Sequence, residues 1–454
     1  MTPEDSPHVI VIGAGFCGLA AAYELAKQGV PVTVFESDSD VGGLAGSFEV
    51  NGTRLEKFYH HWFTNDVHVT QLIQELGLQD RILLRPTQTG VYYSNNFFKL
   101  STPFDLLQFS PLSFFERIRL GVFTLRAQRI RDWRTLENQT AAEWIRTLGG
   151  PRIYEVVWEP LLRGKFGEVA DEVSAVWFWN KIKLRGGSRG KGGGEQLAYF
   201  RGGFAALADA LRDAIKDQGG KVLTRQSVDQ LDVRNGRIIG VVCDGVRYRA
   251  KAVIATPALP LVADLAEQVT SQEYVDQLRR IRYLANTCVV LQLDRSLSST
   301  YWTNVNDPGF PFVGVIEHTN FEPTKTYGGR HIVYLSKYLP ENDTLYQMAD
   351  SEAVEFTMSH LKIMFPEFDE SWVIQSNVWR ARFSQPIVEK NYGQIIPQTE
   401  TPISGFYLAT MAQIYPEDRG TNYAIQQGRQ VGQLVAQKFF ESTVVSSNET
   451  ESFV

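Results

Sequence analysis

Cysteine is scarce in this chain: Cys17, Cys243 and Cys288 are the three in 454 residues, and no two form a CxxC. An odd count without paired spacing excludes a disulfide framework and a cysteine-rich metal site, and it suits a reducing compartment. No metal site is expected. Positive charge is not in excess either, since 45 Lys and Arg against 51 Asp and Glu leave a net charge of −6. That argues against nucleic acid as a partner, because such binding rests on neutralising phosphates. No uninterrupted apolar run reaches the ~20 residues that span a bilayer. The opening MTPEDSP is acidic and has neither a basic nor an apolar segment, so no secretory signal is expected. The expectation is a cytoplasmic protein, soluble or held peripherally at a membrane.

What is present is ordered at both ends. His8 to Ile12 is an apolar run closed by glycine, which reads as a buried parallel strand. Gly13-Ala14-Gly15-Phe16-Cys17-Gly18 then forms a GxGxxG, followed by a helical pattern ending near Gly29 and a second strand, VTVFE, ending in Glu36. The first glycine of such a motif makes the turn, the second admits a pyrophosphate, and the third lets helix and strand pack. The pyrophosphate sits at the positive helix N-terminus. Glu36 stands 18 residues after Gly18, where an acid takes ribose hydroxyls. Strand, helix, strand and acid in order predict a dinucleotide site. The fold class is α/β, Rossmann-like, with a parallel sheet.

Further on, Phe204 to Gln218 reads as an amphipathic helix. The run after it alternates, punctuated by Asn235-Gly236 and Asp244-Gly245, which predicts a three-stranded β-meander. A buried strand, Ala252 to Ala255, closes on Thr256-Pro257. GFYLAT (405–410) is a last short strand, and a helix is expected over roughly 422–440. Residues 100–185 are rich in aromatics and arginine at helical spacing, and 285–395 hold strand-like runs with one helix near Asp350 to Met364. The glycine-rich RGGSRGKGGGEQ, Arg185 to Gln196, lacks the phosphate-loop spacing and is expected to be a mobile loop. The predicted organisation is a discontinuous nucleotide domain (1–90, 196–275, 396–440), an α+β substrate or cap domain (91–195, 276–395), and a disordered tail (441–454).

Glu36-Ser37 is followed by Gly42-Gly43-Leu44 in DVGGLAG. This second glycine pair, with VIATP (253–257) and the segment from Gly405 to Gly428, resembles the FAD-binding amine-oxidase and protoporphyrinogen-oxidase superfamily. The resemblance spans the nucleotide domain in three separated pieces. It implies FAD held by the GxGxxG, Glu36-Ser37 and Gly42-Gly43-Leu44, with the Val228 backbone at the adenine and Thr256-Pro257 also binding the cofactor. It also implies that Gly420, Thr421, Asn422 and Tyr423 lie against the flavin at a helix start. Many members end the last strand in an acid that holds the ribityl chain, whereas this chain has Met411 there. No cysteine follows Cys288, so FAD is expected to be non-covalent.

EKFYHHWFTND (56–66) resembles the histidine-containing region of UDP-galactopyranose mutases, which share this flavin fold. A histidine there would hold a hydrogen bond to the flavin or shuttle a proton near neutral pH. Neighbours on a strand face opposite sides, so one of His60 and His61 is expected at the flavin, with His61 narrowly preferred. Arg163 and Lys165, in a segment similar to the substrate region of protoporphyrinogen-oxidase-like proteins, are candidates for a substrate carboxylate or phosphate. The leading expectation is oxidation of a C–N or C–C bond of a small molecule, with oxygen, a quinone or a carrier as acceptor. A non-redox nucleotide-sugar mutase is the alternative, and a flavin-free carrier the third. The stretch from Leu112 to Trp133 reads as packing within the substrate domain or as a membrane-surface patch.

Overall fold

A computed structural model describes residues 8–99, 107–187, 196–307 and 309–451. Most of the glycine-rich stretch, 188–195, lies outside the described residues, as do 452–454 of the expected tail.

The elements that position the site run in this order. Strand β1 (Val9–Ile12), helix α1 (Phe16–Lys27) and β2 (Val32–Phe35) open the chain, and α2 (Val67–Glu75) follows. Next come α3 (Phe114–Arg129), α4 (Glu159–Phe166), α5 (Ala175–Gly187) and α6 (Gly203–Asp217). After β3 (Lys221–Leu223), the strands β4 (Val228–Arg234), β5 (Arg237–Cys243) and β6 (Val246–Arg249) lead into β7 (Ala252–Ala255). The chain finishes with β8 (Tyr283–Leu293), β9 (His331–Leu339), β10 (Val373–Pro386), β11 (Phe406–Leu408) and α7 (Thr421–Glu451).

One five-stranded sheet has the order β3-β2-β1-β7-β11, with every pairing parallel. It unites strands from the ends and the middle of the sequence. Alternate residues of its strands enter two cores. Ile10, Ile12, Phe35 and Val253 join the apolar cluster that reaches the helices between 109 and 182, while Val9, Val11, Val34 and Ile254 join the one beneath α1, α6 and α7. A parallel sheet covered on both faces requires apolar side chains on both sides, which is why these strands read as continuous apolar runs. The meander β4-β5-β6 is antiparallel. Asn235 (φ 52°) with Gly236 (φ 71°), and Asp244 (φ 50°) with Gly245 (φ 75°), supply the two left-handed residues that each tight hairpin turn needs.

A seven-stranded sheet forms the second layer system. It includes β10-β8-β9, and also Thr89–Tyr93 and Asn96–Lys99 from early in the chain. It is mostly antiparallel, with one parallel pairing of Trp302–Val305 against Thr89–Tyr93. The expected boundary at residue 90 therefore cuts a strand, and that at 275 cuts the helix Gln272–Arg279. Strand and helix exits there carry no strong turn signal, so patterning alone does not locate a boundary. The expected tail also differs: α7 continues as helix to Glu451.

α7 returns to lie on α1. A Cβ on Gly428 would stand 2.1 Å from the Cys17 carbonyl oxygen, and one on Gly432 would stand 2.7 Å from that of Ala21. Glycines four apart let the two backbones meet, and this contact draws the start of α7 to the mouth of the GxGxxG turn.

Candidate functional site: an elongated dinucleotide cleft

A cleft of about 700 Å³ runs along the carboxyl edge of the parallel sheet. Crevices at that edge are where open α/β sheets bind ligands, and the volume lies within the range of cofactor pockets. At one end it is walled by the segment 226–229, with Leu261 and Leu265; in the middle by the two glycine turns; at the other end by His60, Met411, Ile414 and Arg419 to Thr421.

Gly13, Gly15, Phe16 and Cys17 line the middle. Gly18 does not, and its role is packing, since a Cβ there would fall 1.9 Å from the Gly13 carbonyl oxygen. The Ala14 amide donates to Glu36 Oε2 at 2.6 Å, and Glu36 Oε1 accepts from the Asp38 amide at 2.8 Å. Glu36 thus braces the motif as well as lining the cleft beside Ser37. α1 has no acidic residue in its first turn, so the positive end of the helix stays available to an anion. Gly42, Gly43 and Leu44 form the opposite lip, with the Gly42 amide donating to the Ala14 carbonyl at 2.9 Å. Val228, Thr256 and Pro257 also line the cleft, and the Thr256 hydroxyl donates to the Ile12 carbonyl at 2.8 Å. Burial pushes the Cys17 thiol up to about 12, and its Sγ lies 3.1 Å from the Ala409 carbonyl, so this sulfur is protonated packing rather than a nucleophile.

The histidine preference is corrected here. His60 lines the cleft, whereas His61 turns away, its Nδ1 2.9 Å from the Tyr301 hydroxyl within a cage of Phe63, Tyr301 and Trp302. His60 Nδ1 lies 2.6 Å from the Phe58 carbonyl. A carbonyl only accepts, so Nδ1 carries the proton and Nε2 is the acceptor. Burial, with a smaller push from the Arg419 charge, holds His60 down at about 4, against the proton-favouring Phe58 carbonyl. The ring is neutral at physiological pH.

Gly420 and Thr421 line the cleft at the start of α7, but Asn422 and Tyr423 do not. Asn422 Oδ1 accepts the amides of His68 and Val69 at 2.8 and 3.1 Å, which ties α7 to the first turn of α2. Tyr423 packs against His68. The two substrate candidates also separate. Arg163 is spent on exposed ion pairs with Glu159 (2.9 Å) and Asp171 (3.0 Å). Lys165 points inward, its ammonium 4.8 Å from the Trp177 ring and 5.2 Å from that of Tyr338. Spacing two apart on a helix puts them on different faces.

Sequence reading missed Arg419 and Tyr338, which sit beside Asp418. Asp418 accepts from Trp177 Nε1 at 2.7 Å and pairs with Lys181. Burial opposes its ionisation, yet Lys181, Lys165 and Arg419 hold its carboxyl well below the usual range. Asp418 is thereby consumed structurally and does not replace the acid absent at Met411, which itself lines the cleft. A charged pair set immediately before Gly420 was the available signal.

The model for flavin containing amine oxidoreductases matches residues 16–436. The chain belongs to that family. It is therefore an oxidoreductase that works with a flavin, and the cleft fits one: a glycine cradle with two turns in contact, a helix whose first turn carries no acid, and the Glu36 carboxylate in the cleft wall at the end of β2. Among relatives, 15-cis-phytoene desaturase of Narcissus pseudonarcissus is 25% identical over 445 residues, covering 90% of this chain and 75% of that protein. Protoporphyrinogen oxidase 2 of Arabidopsis thaliana is 27% identical over 230 residues, covering 48% and 44%. Among solved structures, reduced UDP-galactopyranose mutase superposes with a TM-score of 0.73 at 14% identity, covering 94% of this chain and 93% of that one. At that identity the likeness is one of fold.

Proposed function

We propose that this oxidoreductase binds FAD non-covalently along the cleft and oxidises a C–N or C–C bond of a small organic molecule, with oxygen, a quinone or a carrier protein as the final acceptor. The observation that carries this is one continuous cleft, from Val228 through Gly13, Glu36 and Gly43 to His60 and the start of α7. Bound FAD supplies the hydride-accepting centre. The chain's own part is positional. The α1 N-terminus and the glycine turns would hold the diphosphate, Glu36 would hold ribose hydroxyls, and Gly420 and Thr421 at the start of α7 would flank the far end of the cofactor. His60, neutral with Nε2 as acceptor, would orient a donor group by a hydrogen bond at the far end of the cleft. The named relatives, a 15-cis-phytoene desaturase and a protoporphyrinogen oxidase, support oxidation of an organic small molecule.

The test is anaerobic mixing of the yellow holoprotein with candidate amines, porphyrinogens and polyenes. Bleaching of the flavin absorbance by one class assigns the reaction; holoprotein bleached by none of them refutes it. The mutase reading draws on His60 at the cleft and on the shared fold. It predicts turnover of a nucleotide sugar only after dithionite reduction, without net change in flavin oxidation state.

We also place the enzyme at the cytoplasmic surface of a membrane through α3. Phe115 (80% exposed), Ile118, Val122 and Leu125 form one stripe, with Phe114 beside it, while Leu120, Phe123 and Ala127 face inward. Arg117, Arg119, Arg126 and Arg129 on the same helix face a single acid, Glu116. An apolar stripe flanked by cations suits an anionic lipid surface.

A further inference from the structure

Arg419 is the part of the cleft wall to which the FAD reading gives no task. It stands just before α7, at the end of the cleft occupied by His60. Its Nε donates to Gln385 Oε1 at 3.1 Å and its Nη2 to the Tyr338 hydroxyl at 2.7 Å. Both partners are neutral. Among the described residues its remaining Nη1 makes no hydrogen bond and no carboxylate lies within ion-pair reach of it, since the adjacent Asp418 is held by Trp177 and Lys181. Arg419 is half-buried in the cleft wall with Asp418 as its one nearby acid, and a guanidinium partly withdrawn from water without a direct ion pair is held at a cost that an anion lowers.

The neighbourhood strengthens that field. The Tyr338 ring lies 5.6 Å from the Arg419 guanidinium and 5.2 Å from the Lys165 ammonium. Lys181 adds a third cation, and the nearby acids are Asp418 and Asp66, so the cluster stays positive even with both ionised. The Tyr338 hydroxyl accepts from Arg419 and so keeps its own O–H to donate. One open guanidinium edge and one hydroxyl make two donors for two oxygens, the complement of a carboxylate.

We propose that Arg419 and Tyr338 bind a carboxylate of the substrate, with Lys165 reinforcing the field, so that this enzyme oxidises an organic acid. This rests on the FAD reading and narrows its substrate class. The binding is reversible and involves no covalent step.

The experiment uses FAD-loaded protein and follows perturbation of the flavin spectrum during titration with benzoate and hexanoate against benzamide and hexanamide. Wild type is expected to bind the acids saturably and at least tenfold tighter than the amides. Arg419→Gln is expected to weaken acid binding at least tenfold and leave the amides, the FAD content and the FAD dissociation constant unchanged, while Arg419→Lys retains part of the preference. Equal binding of acids and amides, or no perturbation by any acid, overturns the proposal. So does an Arg419→Gln protein that has lost FAD, because Arg419 then serves the cofactor. Wild-type protein that takes up no FAD at all refutes the underlying reading, and this is seen before any acid is added. Thermal shifts by each acid, measured in wild type and in Arg419→Lys, give a second readout if the Gln variant folds poorly.

Discussion

Gly43 lies against Gly15, backbone to backbone: a Cβ on Gly43 would stand 3.1 Å from the Gly15 Cα, and Gly43 itself has φ +58°. The turn after β2 thereby buttresses the turn before α1, and a side chain at 43 forces the two apart where the diphosphate of FAD would run. A non-glycine residue in the left-handed region adds roughly 1–2 kcal/mol of strain. Gly43→Val is expected to weaken FAD binding at least tenfold, and Gly43→Ala less. Fluorescence titration of deflavinated protein measures both; an unchanged affinity in the valine variant refutes the role given to this contact.

The two histidines make opposite predictions. His60→Ala is expected to slow flavin reduction about tenfold, the scale of losing one positioned hydrogen bond, with little change in stability. His61→Ala leaves the Tyr301 hydroxyl without its ring partner and is expected to cost about 1–2 kcal/mol of stability, with flavin reduction at the wild-type rate. Since burial holds His60 down at about 4, its neutral form persists above pH 5. The reduction rate therefore shows no His60 limb near pH 6.5. Stopped-flow reduction across pH 5 to 9 decides; a limb near 6.5 that vanishes in His60→Ala contradicts the assignment.

Much of this is legible in the sequence. Runs of apolar residues bounded by glycine gave the parallel strands, because a strand buried on both faces has no polar alternation to hide it. Asn235-Gly236 and Asp244-Gly245 gave the hairpins, since few other pairs tolerate two consecutive left-handed residues. The His60 and His61 choice was not legible: alternation says that neighbours diverge, not which one turns inward. That depended on Tyr301, 240 residues away in sequence. Asn422 was misplaced for the same reason, because its carboxamide is taken by amides at the start of α2, a contact across 354 residues. Arg419 escaped notice since a lone arginine beside an acid reads as a surface pair. Its seating against Tyr338 of β9 and Gln385 of β10 is a tertiary fact.

Membrane docking through α3 gives a third prediction. Phe114→Ser with Phe115→Ser removes the most exposed rings of the stripe, and neither residue belongs to the buried core. Burying one such side chain in lipid is worth about 1.5–3 kcal/mol. The double variant should therefore lose at least tenfold in partitioning to phosphatidylserine-containing vesicles while keeping its melting temperature. Flotation with anionic and neutral vesicles measures this. Wild-type protein that floats with neither kind, or a variant that floats equally well, rules the surface out.

The fourth concerns Asp66, at the N-terminal boundary of α2. It is 7% exposed, and its Oδ2 accepts from the Phe63 amide at 2.9 Å. Burial pushes its carboxyl up to about 6, against the opposing Phe63 hydrogen bond and the Lys181 charge. The sign follows from linkage. Between the ordinary value of 3.8 and about 6 the folded chain binds this proton more tightly than the unfolded chain, so stability falls as pH rises through that window. Above it the penalty is complete, and a displacement of two units corresponds to at most about 3 kcal/mol. Asp66→Asn keeps an oxygen for the Phe63 amide and removes the charge. It is expected to be about 1–3 kcal/mol more stable than wild type at pH 8, with the difference gone near pH 4. Urea midpoints at the two pH values measure it. A gain of equal size at both would mean that shape, rather than the buried charge, sets the effect. A gain confined to high pH would place a titrating carboxylate at the same α2–α7 junction that Asn422 ties, next to the end of the cleft where the flavin ring is expected.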